Sequence, residues 1–376
     1  MVRAPYRVLA LVVLFALLAC AAAMAGGEWY YQHHREPPGP EQDVLGYVLG
    51  GWWAYDSGWY ANIVQEGYFY TPGKQSSVAF FPLYPLAIRA VQTVVPDVHR
   101  AGVLVTLLCG PLSVLLFLRW ARTRGEPTTA FHAALLFALY PFTFFLYGVL
   151  YSDALFILLV VGAFVLLEED HLVWAVVLGA LATAARPVAP AVVVGLLARR
   201  LEWKRERGVR WTPLDALPVL SALGFVAFLV FLQWRFHEPL AFAKVQSAWG
   251  QSPGWRSWLK HSWFKSVLSP DSTRDFVFFI CLHAALSLGA LALLWPTFKR
   301  LGWGYGAFCA VMVGIPTVST KDFMGMGRYL LSAFPLFLTL AVLLRERPRL
   351  RQGVLVASSV SLLLISTAFG LNYYLS

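Results

Sequence analysis

Charged residues are scarce in this sequence. Only 13% of its 376 residues are Asp, Glu, Lys or Arg, whereas 59% are hydrophobic. A soluble globular domain has about a quarter charged residues, so this composition excludes that class. A helix that spans a bilayer needs roughly 20 apolar residues, and many stretches of the chain qualify. The sequence therefore predicts an all-α polytopic membrane protein.

Familiar motifs of soluble enzymes are also absent. The chain contains no Walker loop, no GxGxxG or GxSxG, and no HExxH or CxxC pattern, which argues against nucleotide chemistry. No disulfide framework is evident, since every cysteine lies in an apolar segment: Cys20, Cys109, Cys281 and Cys309. The net charge of +10 is interpreted as topology rather than nucleic-acid binding, because Lys and Arg accumulate in cytoplasmic loops.

The apolar runs predict about 11 transmembrane helices, counting a short hairpin as two. Their approximate ranges are 8–25, 101–118, 129–149, 152–167, a hairpin in 172–198, 214–232, 275–295, 302–318, 329–344 and 353–373. Basic clusters follow alternate spans, which predicts an inner N-terminus and an outer C-terminus. Proline interrupts helices, so Arg186-Pro187 is predicted to form the outer tip of the hairpin. Small residues at 21–23 resemble a signal cleavage site, but the further spans favour retention of the first segment.

Two long loops, 26–100 and 233–274, face the outer side on this topology, and both are rich in aromatic residues. An interfacial aromatic belt accounts for most of their tryptophans. Residues 1–376 are predicted to form a single transmembrane domain, with these loops as its active-site face. The His33-His34 pair lacks a clear third metal ligand and is interpreted as loop.

Asp56 is not explained by an aromatic belt, because it is an acid among large aromatic rings beside a bilayer. A helix starting at Trp52 would place Trp52, Asp56, Trp59 and Ile63 on one stripe. Such an amphipathic helix at the membrane surface would point the acid toward lipid and protein. Asp56 is therefore predicted to be functional, with a structural cap or an ion pair as the alternative.

Further polar candidates lie on the same outer side. A second surface helix is predicted after the proline-rich segment 80–86, which contains Tyr84. Asp153 begins a span at its outer end, where a helix cap and a site residue are equally good interpretations. Lys321 and Arg328 flank the outer start of another span, against the positive-inside trend. A bound anion explains them, and contact with lipid headgroups is the alternative.

An acid with separate cations suits group transfer from a phosphate-linked donor. The carboxylate accepts a proton from the attacking hydroxyl. The cations neutralise the departing phosphate; the candidates are Lys74, Arg186, Lys321 and Arg328. A lipid-phosphate donor would also explain the membrane location. No Asp-x-Asp pair lies in an outer loop, so no cofactor and no metal requirement are expected.

Six ordered segments carry a resemblance to a known family. They are WAYDSGWYANIVQEGY (53–68), AFFPLYPL (79–86), YSDALF (151–156), ARP (185–187), EPLAFAKVQSAWG (238–250) and MGRYLLSAFPLF (326–337). Together they resemble bacterial relatives of GPI mannosyltransferase 2, the phosphatidylinositol-glycan class V family of GT-C glycosyltransferases. Each motif alone is weak, but the ordered series spans most of the chain.

The resemblance implies a GT-C fold, a polyprenyl-phosphate sugar donor (with mannose as the sugar), and a lipid or glycan acceptor. It maps the acid that serves the acceptor to Asp56. From the acid and the separate cations we expect a single inverting displacement. Donor or acceptor contacts are expected from Arg328 and Gln246. The other substrate-binding candidates are Trp59, Tyr84, Asp153, Trp249 and Tyr329.

The chain departs from the family pattern in several places. Tyr55 stands where relatives often have a basic residue or another aromatic, and Asp153 stands where Glu is common. The longer lumenal loops of eukaryotic members are missing, which makes a GPI acceptor doubtful. A bacterial cytoplasmic membrane, with the active site on its extracytoplasmic side, is therefore predicted.

Three alternatives remain open from the sequence. A transporter or flippase of lipid-linked sugars is one, although no second copy of the Asp56 or Arg328 segment supports the half-repeats of transporters. Another GT-C chemistry, such as glucosyl, arabinosyl or aminoarabinosyl transfer, is the second. A non-catalytic subunit of a membrane complex is the third.

Overall fold

The computed structural model describes residues 3–34, 51–251 and 254–375. Within those ranges the regular structure is helical, with no strand. Residues 35–50 of the first predicted outer loop lie outside the described residues.

The α-helices are numbered here in chain order. They are α1 (Arg3–His34), α2 (Asp56–Glu66), α3 (Leu83–Gln92), α4 (Val98–Arg124), α5 (Pro127–Ala138), α6 (Asp153–Glu168), α7 (Leu172–Thr183), α8 (Ala189–Glu206), α9 (Leu223–Phe236), α10 (Ala241–Lys244), α11 (Trp255–Trp258), α12 (His261–Leu268), α13 (Arg274–Leu301), α14 (Trp303–Ser319), α15 (Met326–Leu330), α16 (Pro335–Leu343) and α17 (Pro348–Gly370). Short 3₁₀ segments cover Ser77–Ala79, Thr143–Leu146, Pro213–Ala222 and Val245–Trp249.

In the described part of the chain, five helices are long and apolar enough to cross a membrane. They are Pro5–Tyr30, Val98–Arg124, Pro213–Phe236, Arg274–Leu301 and Pro348–Gly370. The shorter apolar helices Leu172–Thr183 and Trp303–Ser319 add to them. The protein is therefore an all-α polytopic membrane protein, as the composition predicts. The first helix runs on to His34, so the prediction of a loop at the histidine pair is wrong.

Two predicted spans are not continuous helices. In the range 129–149, α5 ends at Ala138 and turns follow. In the range 329–344, α15 ends at Leu330 and α16 begins only at Pro335. Proline has no N–H to donate and disfavours helix at the preceding residue, which explains interruptions near Pro141 and Pro335.

The predicted break at Arg186-Pro187 is confirmed. Helix α7 ends at Thr183, and α8 begins at Ala189 with proline at its second position. The short segment between them carries Arg186, whose side chain is buried. The two helices also contact each other, as a hairpin requires.

The chain divides into two units. The first takes its described residues from 1–67, 83–161 and 340–374. Within it, α1 packs along α17 through glycine. A Cβ on Gly26 would lie 2.3 Å from the carbonyl oxygen of Thr367, and a Cβ on Gly370 would lie 2.0 Å from that of Ala23. The two backbones approach this closely only because these positions have no side chain.

The second unit takes its described residues from 68–82, 162–339 and 375–376. In this unit α8 and α14 pack against each other, and Gly195 lies against the Phe308 side chain. One end of this pair is held by buried ion pairs. The Arg199 guanidinium donates to the carboxylates of Glu168 and Glu202, to the second at 2.9 Å. Glu202 also accepts hydrogen bonds from the first backbone N–H groups of α14.

An aromatic cluster fills another part of the second unit. Its buried members are Val78, Phe81, Phe228, Leu232, Ala241 and Val245, with Tyr68, Phe225, Phe231, Phe242 and Trp249 packed around them. Residues 68–82 come from the first predicted outer loop, so part of that loop is anchored on α9 and on the segment that follows it. Apolar burial on this scale holds the loop without disulfides.

Candidate active site

Helix α2 begins at Asp56 and not at Trp52. The preceding residue, Tyr55, has φ 54° and ψ −111°, a backbone conformation that cannot continue a helix. Trp52 is only 1% exposed and stacks near Phe144, outside the helix. The predicted stripe that begins at Trp52 is therefore wrong, because the helical register starts four residues later.

The buried side of α2 is formed by Ser57, Tyr60, Ala61, Ile63 and Val64. Asp56 and Trp59 are half-buried at its margin. The acid is thus at the first turn of a short helix and beside its packed face, instead of in the middle of an apolar stripe. At that position the backbone N–H groups of a helix start favour a negative charge.

Tyrosine hydroxyls surround the start of α2. The backbone N–H of Asp56 donates to the Tyr151 hydroxyl at 3.1 Å, and that hydroxyl donates to the Ala54 carbonyl at 3.5 Å. The Tyr60 hydroxyl donates to Ser152 at 2.9 Å. The Tyr-Ser-Asp segment at the start of α6 therefore contacts the segment that carries the predicted acid.

Tyr55 holds the other side of this start. Its hydroxyl donates to the Asn372 carbonyl, and its ring meets those of Tyr374 and Phe369 edge-on at 5.0 and 6.2 Å. A non-glycine residue with positive φ outside the left-handed helical region costs about 1–3 kcal/mol and persists only where the surroundings enforce it. In the sequence Tyr55 stands out only as a departure from the family pattern, and no local pattern predicts its conformation.

Asp153 is the first residue of α6 and is 1% exposed. Tyr84 lies near it, wholly buried, and its hydroxyl donates to the Gly102 carbonyl at 3.1 Å and shares a hydrogen bond of 3.0 Å with Thr106. Burial raises the pKa of Tyr84, and the charge of Asp153 adds to the shift. The phenol is therefore protonated at neutral pH. Its hydrogen-bond partners, Gly102 and Thr106, both belong to the first unit.

Two buried arginines share one ring in the second unit. Arg186 and Arg328 are 7% and 8% exposed. Their guanidinium carbons lie 5.4 and 5.1 Å from the centroid of the Tyr329 ring. Guanidinium groups stack well on aromatic faces, so the ring holds two like charges in one region. Two guanidinium groups in one region can contribute to the binding of an anion such as a phosphate.

A histidine from α13 fixes the start of the short helix that carries Arg328. The Gly327 backbone N–H donates to Nδ1 of the fully buried His283 at 2.9 Å. Gly325, just before this helix, has φ 81°, which favours glycine. The MGRYL segment is therefore held at a defined turn.

Lys321 lies against the turn that follows α10. Its backbone N–H donates to the side chain of Gln251 at 3.0 Å, and a Cβ on Gly250 would lie 2.7 Å from its ammonium nitrogen. Gln246 and Trp249 belong to the same turn and are half-buried. The structure thus brings together Lys321, Gln246 and Trp249 in one neighbourhood of the second unit.

Lys260 was missed by sequence analysis. It is 7% exposed, its ammonium group donates to the Thr320 carbonyl, and it lies 4.8 Å from the centroid of the Phe323 ring. Burial lowers its pKa to about 8, and the charge of Asp322 opposes the shift. The argument that singled out Lys321, a basic residue on the predicted outer side, applies equally to Lys260.

Lys74 is exposed on a turn, whereas Arg186 and Arg328 are buried. Across residues 3–34, 51–251 and 254–375, no group of three or more His, Cys, Asp or Glu residues could hold a metal ion. The four cysteines of the protein are free.

The comparisons with known proteins give one family. The model of the mannosyltransferase (PIG-V) family matches residues 7–201, more than half of the chain. The match includes Asp56, Asp153 and Arg186 and ends before Arg328. A search of curated proteins finds no match. A matching family model of this extent, on an all-α membrane fold, shows that the chain belongs to the PIG-V mannosyltransferase family.

Proposed function

We propose that the protein transfers mannose from a polyprenyl-phosphate donor to a hydroxyl of a lipid or glycan acceptor. Family membership supports a membrane mannosyltransferase in general terms. We propose in addition a specific donor, an acceptor class, a mechanism and the side of the membrane on which transfer occurs. The family also favours a transferase over the transporter alternative.

The phosphate-linked donor is supported chiefly by the arginine pair at Tyr329. Two buried guanidinium groups within 5.4 Å of one ring centroid make a cationic region suited to a phosphate. Arginine can bind two phosphate oxygens at once, and stacking on the ring limits its rotation. Arg186 and Arg328 are assigned to the donor phosphate, with Lys321 as a further cation.

Asp56 is assigned as the general base. Its carboxylate takes the proton of the acceptor hydroxyl while that oxygen forms a bond to the anomeric carbon. The bond from this carbon to the phosphate oxygen breaks, and polyprenyl phosphate leaves with its negative charge. A single displacement of this kind inverts the anomeric configuration. General-base assistance contributes about 10²–10⁴-fold to such rates.

The proposed location is the extracytoplasmic side of a bacterial cytoplasmic membrane. The basic clusters after alternate spans support this orientation. A lipid or glycan acceptor is proposed instead of a GPI precursor, because the long lumenal loops of eukaryotic members are missing. No metal is assigned to the reaction, and EDTA treatment followed by Mg²⁺ or Mn²⁺ addition tests that assignment directly.

The first experiment is mass spectrometry of lipid extracts from cells with and without the gene. A hexose-bearing species that disappears on deletion, and returns on complementation, identifies the product. An unchanged lipid and glycan profile contradicts the proposal.

The second experiment tests Asp56 in purified protein. Radiolabelled polyprenyl-phosphate mannose is supplied with acceptor lipids extracted from the deletion strain. Asp56→Asn is expected to abolish transfer without loss of membrane insertion. Glu66→Gln is the matched control, since this exposed acid lies on the same helix and is expected to retain activity. Retention of most activity in Asp56→Asn removes the assignment of the base.

A further inference from the structure

We infer that Tyr55 and Tyr151 are positioning residues that hold the backbone at Asp56 from two sides. The inference rests on the proposed role of Asp56 as the base. The two tyrosine side chains do not act on the substrate; they fix the position of the backbone that carries the Asp56 carboxylate. Both belong, with Asp56, to the first unit.

The residue immediately before the acid is strained. Tyr55 has φ 54° and ψ −111°, and it immediately precedes the acid. Glycine would adopt this conformation at little cost, whereas tyrosine adopts it only if its side chain is held. A tyrosine at such a position therefore indicates that contacts of its side chain stabilise the strained backbone.

Contacts with α17 and the residues that follow it hold the Tyr55 side chain. Its hydroxyl donates to the carbonyl of Asn372, which follows α17, and its ring meets those of Phe369 and Tyr374 edge-on. Burial raises the pKa of Tyr55, with Tyr30 adding to the shift, so the phenol remains a proton donor. Asn372 is held in turn, because its side chain donates to the Tyr30 hydroxyl at 3.3 Å.

Tyr151 holds the same stretch of backbone through its hydroxyl group. Tyr151 is fully buried, with its ring against Phe145 at 5.0 Å and Phe369 at 6.5 Å. Its single hydroxyl accepts the Asp56 N–H and donates toward the Ala54 carbonyl. The peptide groups on both sides of Tyr55 are thereby tied to one rigid ring.

The two anchors have a shared support. Both tyrosine rings contact Phe369 on α17. The acid's backbone is therefore fixed by the last helix and by the start of α6, instead of by its own short helix alone. A general base must stay within hydrogen-bond reach of its proton, and a displacement of about 1 Å can cost about 100-fold in rate.

The test compares three conservative variants in full-length protein. Tyr55→Phe and Tyr151→Phe keep the rings and remove one hydroxyl each. Tyr147→Phe is the control, because this buried tyrosine also donates to a backbone carbonyl at 2.6 Å, but to that of Ala138, the last residue of α5, and not to the Asp56 segment. The assay uses radiolabelled polyprenyl-phosphate mannose and the acceptor lipid extract, and thermal unfolding is measured for each variant.

Tyr55→Phe and Tyr151→Phe are expected to lower kcat by about 10-fold or more with donor KM within about 2-fold, because the anchors affect the geometry of proton transfer and not donor binding. Tyr147→Phe is expected to lose a similar amount of thermal stability and to keep its kcat. A normal kcat in both anchor variants overturns the inference, as does an equal loss of kcat in the control. An increased donor KM with normal kcat also overturns it.

The two proposals fail separately in this design. If Asp56→Asn is inactive while both anchor variants are normal, the base assignment stands and only the positioning role is lost. If Asp56→Asn is active, the proposed function of Asp56 is lost whatever the tyrosine variants show.

Discussion

Arginine is well suited to positions 186 and 328 because its flat guanidinium group can lie on the Tyr329 ring and still donate from its edge. A lysine ammonium would place a strongly hydrated point charge there instead. The pair at 5.4 and 5.1 Å from the ring centroid thus gives two oriented donors in a buried place.

Arg328→Ala is expected to weaken donor binding more than acceptor binding. Hydrogen bonds to charged groups are worth about 1.5–3 kcal/mol, which corresponds to roughly 10–100-fold in donor affinity. Separate titrations with polyprenyl-phosphate mannose and with the acceptor extract measure this difference. Arg235→Ala, which removes an exposed arginine at the end of α9, serves as control and should change neither affinity. The opposite ranking of the two affinities contradicts the assignment.

Lys260 predicts a pH dependence of stability. Its pKa is lowered from 10.5 to about 8 in the folded protein, chiefly by burial. Between these values the unfolded chain binds more protons than the folded chain, so the free energy of unfolding rises with pH across that window. Below about pH 8 the cost of the buried ammonium is fully present.

The measurement is the thermal unfolding midpoint in detergent from pH 7 to 10. The wild type should gain stability as pH rises through the window, and Lys260→Met should lose that gain. Lys265→Met changes an exposed lysine on the neighbouring helix and should behave as the wild type. Parallel pH profiles for all three proteins would disprove the role given to Lys260.

At this scale the sequence predicts residue types better than contacts. Asp56, Arg186 and Arg328 stand out because acids and outer-side cations are unusual in an apolar chain. Tyr151 was not recognised, because a tyrosine at the end of a span is ordinary in membrane interfaces. Its importance lies in one hydrogen bond across 95 residues of chain, which no local pattern predicts.

Among the helices, the contact between α1 and α17 depends on the absence of side chains. Gly26 and Gly370 each face a backbone carbonyl of the partner helix. Close backbone approach at small residues is a common way for membrane helices to associate.

Gly370→Ala is expected to destabilise the protein by about 1–3 kcal/mol, since the added methyl group would overlap the Ala23 carbonyl and force the helices apart. The control is Gly353→Ala in the same helix, where a Cβ meets open space. That change should be neutral or stabilising by up to about 1 kcal/mol, because alanine is the better helix former. Thermal unfolding in detergent measures both, and equal midpoints would contradict this packing.

Proline correctly predicted the helix break at Arg186-Pro187, whereas the predicted start of α2 was wrong. The break at Arg186-Pro187 follows from the missing proline N–H and is seen. The start of α2 depends instead on the positive φ of Tyr55, which only its anchors enforce. The side-chain periodicity from Trp52 could not predict the positive φ of Tyr55, because a periodic pattern assumes helical backbone dihedrals at every residue.

For the whole molecule, the charge distribution predicts which loops face which compartment. Lys74 is assigned to the outer side and Arg349 to the inner side, and both are exposed. In a variant whose four native cysteines are replaced, Lys74→Cys should react with a membrane-impermeant maleimide in intact cells. Arg349→Cys should react only after permeabilisation. Labelling in the reverse order would place the proposed active-site loops in the cytoplasm.

The ion pairs around Arg199 bear on that same charge rule. Arg199 and Arg200 are counted as positive when orientation is decided during insertion, before the carboxylates have folded against them. In the finished protein they are bonded to Glu168, Glu202, Asp170 and Asp215. The formal count of basic residues in this segment therefore overstates the field that it presents to anionic lipids. Membrane surface attraction should come instead from the unburied arginines that follow, at 205, 207 and 210.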